Sequence, residues 1–507
     1  MRKNLTTSFT ALAVIAALAA SVQLAAQDSP DHRQRHHHYR LIDLGTFGGP
    51  QAFTQDQLPF LTNRGVVAGW ADTSMPDPNY PNSCFFCFFS PFVVHAFQWK
   101  EGTLTDLGAL TGVSSSEAFW ISNNGLTAGF SENGATDPLH SIPQIHAVLW
   151  NGGQITDLGT LEGGYESAAF AVNKRGQVAG VSLNLVPDPF LGGTQQRTFL
   201  WQDGVMQDLG TLGGTDAGLL GDQGNIEINE RGQVAACSYV NSTTNPTTGT
   251  PTLDPFLWDK KNGMQDLGGL GGTSGCAINL NNRGQVIGYS NVPGDVGCPS
   301  ACEVHPFLWG GGVLRDLGTF GGASGRAIAI NDAGEVVGWA MDQNQQVRAF
   351  LWRNGVKRNL GTLSPLPYSN AQWINSKGQV VGFVADANFI THIAFLWENG
   401  GPMVDLNSLV PPGSELQLAN ALNINDRGEI AGTGLLTNGD FRNFLLIPCD
   451  ENHPSLEGCD YNLVDATTAA SRASPLISDA ARRTPLRFGT RQVFGAPLCA
   501  GAFGRRN

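Results

Sequence analysis

Carboxylates recur along this chain at spacings that first suggest acid–base chemistry. Asp-Leu-Gly occurs at Asp43, Asp106, Asp157, Asp208, Asp266 and Asp316, with degenerate forms at Asn359-Leu360-Gly361 and Asp405-Leu406-Asn407. Paired carboxylates can act as general acid and base. A carboxylate demanded in every copy of a repeat, however, serves turn and strand hydrogen bonds. The same logic covers His95, His146 and His305. They recur at one position of successive copies, so they cannot converge on a single metal ion. Neither a catalytic residue, a metal-ligand set nor a cofactor is assigned. Non-uniform positions are better candidates for a ligand surface. Phe60, Trp120 and Trp373 share one register, two residues before a recurrent turn, where other copies carry Ala171, Glu227, Asn279, Ala329 or Asn423. Aromatic rings there could stack on a sugar or another flat ligand.

Three signatures build the elements that position these residues, and each appears eight times. Asp-Leu-Gly is the first. The second is an Asn-x-x-Gly turn at Asn173, Asn229, Asn281, Asn331, Asn375 and Asn425, with Thr62 and Ser122 heading the two earliest copies. The third is Phe-Leu-Trp or a variant, ending at Trp99, Trp150, Trp201, Trp258, Trp309, Trp352 and Trp397, with Phe444-Leu445-Leu446 as the eighth. Asn first and Gly fourth suit a type I turn. A Gly-x-Val-x-Gly strand follows, for example Gly284 to Gly288, and then the apolar Phe-Leu-Trp strand. Tight turns such as Asn354-Gly355 lead into the Asp-Leu-Gly strand. The residue four before the turn is Ala118, Ala169, Ala277, Ala327, Ala371 or Ala421, a preference that fits a crowded innermost strand. Leu58 and Asn225 are the exceptions.

Four-stranded units of about 51 residues over residues 39–448 predict an all-β fold, an eight-bladed β-propeller. The first Asp-Leu-Gly precedes any complete unit, and the last Phe-Leu-Leu lacks one after it. Tyr39 to Leu44 is therefore expected to complete the last blade as its fourth strand, leaving no abandoned sheet edge. An open β-solenoid is the alternative architecture.

The motif series resembles the bacterial extracellular HAF-repeat family, named for a His-Ala-Phe that His95-Ala96-Phe97 carries intact. His146-Ala147-Val148 and His305-Pro306-Phe307 are near matches, and Arg348-Ala349-Phe350 lacks the His. The resemblance covers about residues 39–448 and implies export and a propeller-like repeat, but no reaction. Ala236 in place of the second Gly, and the long stretch from Gly213 to Ile226, mark blade four as the most divergent.

Composition and the chain ends bound the function. A net charge of −13 disfavours tracking a phosphate backbone, so no nucleic-acid partner is expected. Residues 1–26 read as a secretory signal, with Arg2 and Lys3 before the apolar Ala11–Ala20 and cleavage after Ser21 or Ala26. The remainder has no uninterrupted apolar run of membrane length. A secreted or periplasmic location is expected, with residues 27–38 as a His-rich surface leader and 449–507 as a tail. The nine cysteines then point to disulfides. The close pairs Cys84/Cys87, Cys298/Cys302 and Cys449/Cys459 suit local bridges, and Cys237–Cys276 would link neighbouring blades. A Cys₄ zinc site from the first two pairs would need blades one and five to meet across the ring. Asp72, Asp77 and Asn79 offer oxygens to Ca²⁺, but at no recognised calcium-loop spacing.

The long connections between second and third strands, at 71–93, 183–196, 240–255 and 289–304, emerge on the same face as the inter-blade links. Repeat proteins bind partners where variation concentrates. The expected function is a non-catalytic binding or scaffolding module for a protein or glycan, using this face. The rivals are a polysaccharide hydrolase or lyase with an axial site, and a purely structural envelope role. Neither a Ser-x-Asp-x-Gly-x-Thr-Trp box nor a Gly-x-Ser-x-Gly elbow is present.

Overall fold

Eight four-stranded antiparallel sheets, arranged as blades round an axis, make up the computed structural model. It describes residues 35–465 apart from 82–89, 140, 191–192, 219–224, 247–248 and 295–302. The signal segment, residues 466–507, and the expected bridges Cys84/Cys87 and Cys298/Cys302 lie outside the described residues. Blade three shows the pattern: Ser167–Val172, Val178–Pro187, Thr194–Gln202 and Val205–Asp208 pair in order from axis to rim. Seven blades are built from consecutive strands. The eighth joins Gln417–Ile424, Ile430–Leu435 and Phe441–Pro448 to Tyr39–Asp43, whose register runs from Tyr39↔Pro448 to Asp43↔Phe444. The protein is an eight-bladed β-propeller closed by its amino-terminal strand.

Motif chemistry explains why each unit folds alike. In the Asp-Leu-Gly strand the Asp oxygen accepts from the Gly amide two residues on, at 2.7 Å for Asp106 and 2.8 Å for Asp157 and Asp208. The His of the third strand donates Nδ1 to that same Asp, at 2.8 Å in His95–Asp106, 3.0 Å in His146–Asp157 and 2.9 Å in His305–Asp316. These partners hold the three carboxyls below the ordinary Asp range, against the opposing effect of partial burial. In blade eight Arg442 takes the His position and its guanidinium lies 3.6 Å from Asp43. The motif is thus rebuilt across the ring closure.

The turns form a second circuit. Each Asn side chain accepts from the backbone amides two and four residues on, as Asn281 does from Arg283 and Gln285 at 3.0 Å. Its Nδ2 then donates to the carbonyl of the equivalent residue in the next blade. These links run Asn173 to Asn229, Asn281, Asn331, Asn375 and Asn425, and finally to Thr62, at 2.9–3.1 Å. Asn63–Asn123 and Asn124–Lys174 contacts complete the circle at 2.7 and 2.9 Å.

The two ends, expected as a surface leader and a tail, are packed together where they are described. Arg35–His36 pairs with Val464–Asp465, and buried His36 contacts Glu398 at 2.8 Å. Residues beyond the last blade are held by the Cys449–Cys459 bridge and by His453 Nε2, 3.2 Å from Glu429. Cys237–Cys276 is also a disulfide and joins blade four to blade five. Among the described residues no helix is long and apolar enough to cross a membrane.

Candidate functional site: the axial mouth on the insert-bearing face

Six inner strands carry a one-residue β-bulge three positions before the turn, at Phe119, Phe170, Ile278, Ile328, Gln372 and Leu422. The extra residue kinks the strand next to the axis. These residues, and Ile226 in blade four, are all buried although they belong to the innermost strand, so the axis is filled at this level. Blade one expands the bulge. Its inner strand Gly48–Phe53 stops at the Phe53↔Trp70 pair, and pairing resumes where Ala68 donates to the Phe60 carbonyl. Residues 55–59 loop out between.

This loop is a plug. Fully buried Leu58 joins one apolar cluster with Phe119, Phe170 and Ile226, spanning blades one to four. Asn225 of blade four reaches the Gln57 carbonyl at 3.5 Å. Blade two donates Ile121 N–H to the Pro59 carbonyl at 3.0 Å, and blade eight bonds the loop through Asn423, at 2.9 Å to Phe60 N–H and 3.2 Å to the Leu58 carbonyl. Leu58 and Asn225, the exceptions to the inner-strand alanines, are therefore the plug and its receptor.

Toward the insert-bearing side lies a ring of larger side chains. Residues five before the turn include Glu117, Arg326 and Asn370, and they pair with Phe130, Trp339 and Phe383 on the second strands. Trp70 and Tyr289 share that register, opposite Phe53 and Cys276. Trp70, Trp339, Phe383, Phe53 and Arg326 are half-buried. The Trp70 ring lies 6.0 Å from Phe119 at the bulge layer, and Phe53 lies 5.6 Å from Phe441. Arg326 sits over Tyr289 at 4.3 Å, a cation–π contact between blades six and five. His392 stacks on Phe383 at 4.6 Å and bonds Asn420 at 2.8 Å. Burial pushes its pKa down, favouring the neutral ring. The mouth thus offers aromatic faces and one guanidinium, a set suited to recognition. Sequence reasoning passed over it, although the signal was present as an aromatic directly after the second Gly of the second strand: Gly69-Trp70, Gly129-Phe130, Gly288-Tyr289, Gly338-Trp339 and Gly382-Phe383.

The three aromatics singled out from sequence lie on the turn side of the bulge layer. Phe60 is 0% exposed and Trp120 9%, both inside inter-blade clusters. Trp373 is half-buried and packs against two clusters. The structure does not bring the three together. Parts of the expected insertions prove to be strand: Val67–Pro76 and Phe92–Lys100 extend the first hairpin, and Thr127–Thr136 gives blade two a similar one. Their tips rim the mouth over blades one to three and expose Met75, Leu139 and Leu185, the last at 69%. Phe190 from the third tip leans on Tyr239, 6.2 Å away. Two inner-strand carboxylates, Glu117 and Glu227, are buried, and desolvation pushes both well above the ordinary Glu range. No group of three or more His, Cys, Asp or Glu converges among the described residues.

These features define a closed propeller with a plugged axis and an aromatic mouth. No protein-family model and no curated protein sequence matches the chain. Among solved structures it is similar to the propeller domain of the Trilobed protease from Pyrococcus furiosus, at 9% identity and TM-score 0.38 over 66% of this chain and 93% of that one. TolB from Acinetobacter baumannii gives 12% and 0.31 over 67% and 78%. The six-bladed fucose-binding lectin of Aleuria aurantia gives 10% and 0.28 over 69% and 93%. Scores this low carry no argument, and the architecture stands on the strand pairing itself.

Proposed function

We propose that this protein is a binding or scaffolding propeller that holds a protein or glycan partner at the insert-bearing mouth without turning it over. The observation that carries the reading is the register of half-exposed Trp70, Trp339 and Phe383 beside Arg326, above an axis closed by the plug. Stacking on flat ligand faces and one fixed positive charge recognise a partner but supply no nucleophile with its base. Export belongs to the same proposal. It rests on the amino-terminal signal pattern and the His-Ala-Phe resemblance, and the two disulfides suit an oxidising compartment. Of the three inner-strand aromatics, Trp373 alone keeps ring surface to offer and joins the test panel.

The test is a glycan array and a protein pull-down with the full chain, repeated with Trp70→Ala, Trp339→Ala and Trp373→Ala. One ligand class should be retained, and Trp339→Ala should weaken it at least about tenfold, equivalent to about 1.4 kcal/mol. Turnover of a polysaccharide or ester panel would overturn the binding-only reading in favour of an axial hydrolase or lyase.

A further inference from the structure

The turns joining first and second strands lie on the face opposite the insertions. Their third position carries a cation in six of the eight blades: Arg64, Arg175, Arg231, Arg283, Lys377 and Arg427. Asn124 and Ala333 fill it in blades two and six. The cation is not what makes the turn. Ala333 N–H donates to Asn331 Oδ1 at 3.1 Å and Gly334 N–H to the Asn331 carbonyl at 2.9 Å. Arg231 and Gly232 make the same two bonds to Asn229, at 3.0 and 2.9 Å. The recurrent charge therefore differs from the motif Asp and Asn, whose side chains hold their own turns.

Ring closure gathers these charges. Each turn bonds to the next through its Asn Nδ2, so successive cations circle the axis at one level. Their distribution is uneven. In blades one to five the second and third turn positions hold Arg64, Lys174, Arg175, Arg231 and Arg283 against Glu230 alone, which lies 3.7 Å from Lys174. In blades six to eight, Asp332 and Asp426 balance Lys377 and Arg427. Arg64, Arg175, Arg231 and Arg283 are exposed, and among the described residues none of the four has a carboxylate within ion-pair distance. Arg175 and Arg231 lay their guanidiniums against Gly232 and Gly284 of the following blade, and Arg283 reaches the Ala333 carbonyl at 3.5 Å. The result is a continuous basic arc over blades three to five of a chain whose net charge is −13. Mutual repulsion disfavours such a field unless an anion neutralises it.

We propose that this arc docks an acidic polysaccharide, whose carboxylates are gripped by Arg175, Arg231 and Arg283. A guanidinium offers a planar fork that matches a carboxylate with two parallel hydrogen bonds. The second and third turn positions of blades one to five carry Asn, Arg, Lys and Glu, with no aromatic or aliphatic side chain to enter an acyl layer as membrane-surface binding requires. B-DNA packs one charge into about 1.7 Å of axis and is repelled by the acidic body around the arc. A polyuronate carries one charge per sugar and can lie on the arc alone. The surface is opposite the mouth, so the proposal stands whatever the mouth binds.

Binding of fluorescently labelled polygalacturonate oligomers to the full chain is followed by anisotropy, with neutral dextran oligomers as the control. Saturable binding to polygalacturonate alone is expected, weakening about tenfold or more between about 20 and about 200 mM NaCl. Arg175→Gln, Arg231→Gln and Arg283→Gln combined should weaken it about tenfold or more without lowering the melting midpoint, because Ala333 shows the turn forming without a cation. Lys100→Gln, Lys260→Gln and Lys261→Gln combined remove the same charge from the outer turns and should change affinity by no more than about twofold. Trp339→Ala, on the opposite face, should leave this binding intact. Absence of binding at low salt would overturn the proposal, as would equal losses in the two triple variants or loss in Trp339→Ala. Tighter binding to phosphatidylglycerol vesicles or to duplex DNA would also overturn it, assigning the arc to a membrane surface or a nucleic acid.

Discussion

At the scale of single residues, the propeller separates uniform positions from singular ones, and the two kinds do different work. The turn Asn is uniform because one side chain closes its own turn and reaches the next blade. Wherever Asn heads the turn, Gln or Glu stands four residues later and accepts a second Nδ2 hydrogen, as Gln285 does from Asn281 at 2.8 Å. Where Thr62 or Ser122 heads it, the fourth residue is Val66 or Leu126, since a hydroxyl has no second hydrogen to give. That pairing could be read from the chain itself. Glu227 is singular, an acid at the register of Ala171 and Ala329, buried with Oε1 unpartnered. Its pKa is raised by burial, so folding favours the protonated form. The stability it allows is complete below the ordinary value of 4.5 and is lost as pH rises toward the folded-state value. Glu227→Gln should match wild type in acid, where the carboxyl is neutral in both states, and be the more stable of the two at pH 8. Urea midpoints at the two pH values check this, and a pH-independent difference would refute it.

At the scale of elements, one glycine decides whether the inner strand can pair. The second Gly of the second strand lies against the carbonyl that the bulge pushes outward. A Cβ at Gly129, Gly180, Gly288, Gly338, Gly382 or Gly432 would collide with the carbonyl oxygen of Glu117, Ala168, Cys276, Arg326, Asn370 or Asn420. Blade four has Ala236 at this position, and its inner strand shrinks to Glu227–Ile228. Freed from pairing, Asn225 bonds instead to Ala277 of blade five and crosses to the plug, while Cys237–Cys276 ties blade four outward. The divergence of blade four was therefore legible in sequence, but its consequence was not, because the plug is a contact between residues 168 positions apart. Gly338→Ala should destabilise the protein by about 2–4 kcal/mol, through overpacking against fixed backbone. Ala236→Gly should be worth less than about 1 kcal/mol, since that strand has already given up the pairing. Chemical denaturation of both variants checks the contrast, and equal effects would mean that the bulge does not require glycine.

At the scale of the whole molecule, the ring was countable from sequence because each motif marks one strand, and eight copies leave one strand over at the amino-terminal end and the last unit one strand short. The axial mouth was harder to see. Its residues come from two different strands of different blades and share a register only once the bulge has shifted the inner strand by one. Closure remains the property on which all eight blades depend. Tyr39–Asp43 supplies the outer strand of blade eight, buries Tyr39, and brings Asp43 to Arg442, while Leu44 just beyond it is also buried. Removing residues 39–45 forfeits two buried apolar side chains, roughly 3–6 kcal/mol at about 1.5–3 kcal/mol each. It also bares the Phe441–Pro448 strand as an open edge. The truncated protein should melt lower by about 6 °C or more, at roughly 2–4 °C per kcal/mol. A synthetic peptide of residues 35–46, added in excess, should restore part of that loss by binding the exposed edge in the native register. Unchanged melting after truncation would show that blade eight holds without its fourth strand. Loss without any rescue would place the effect on residues other than this pairing.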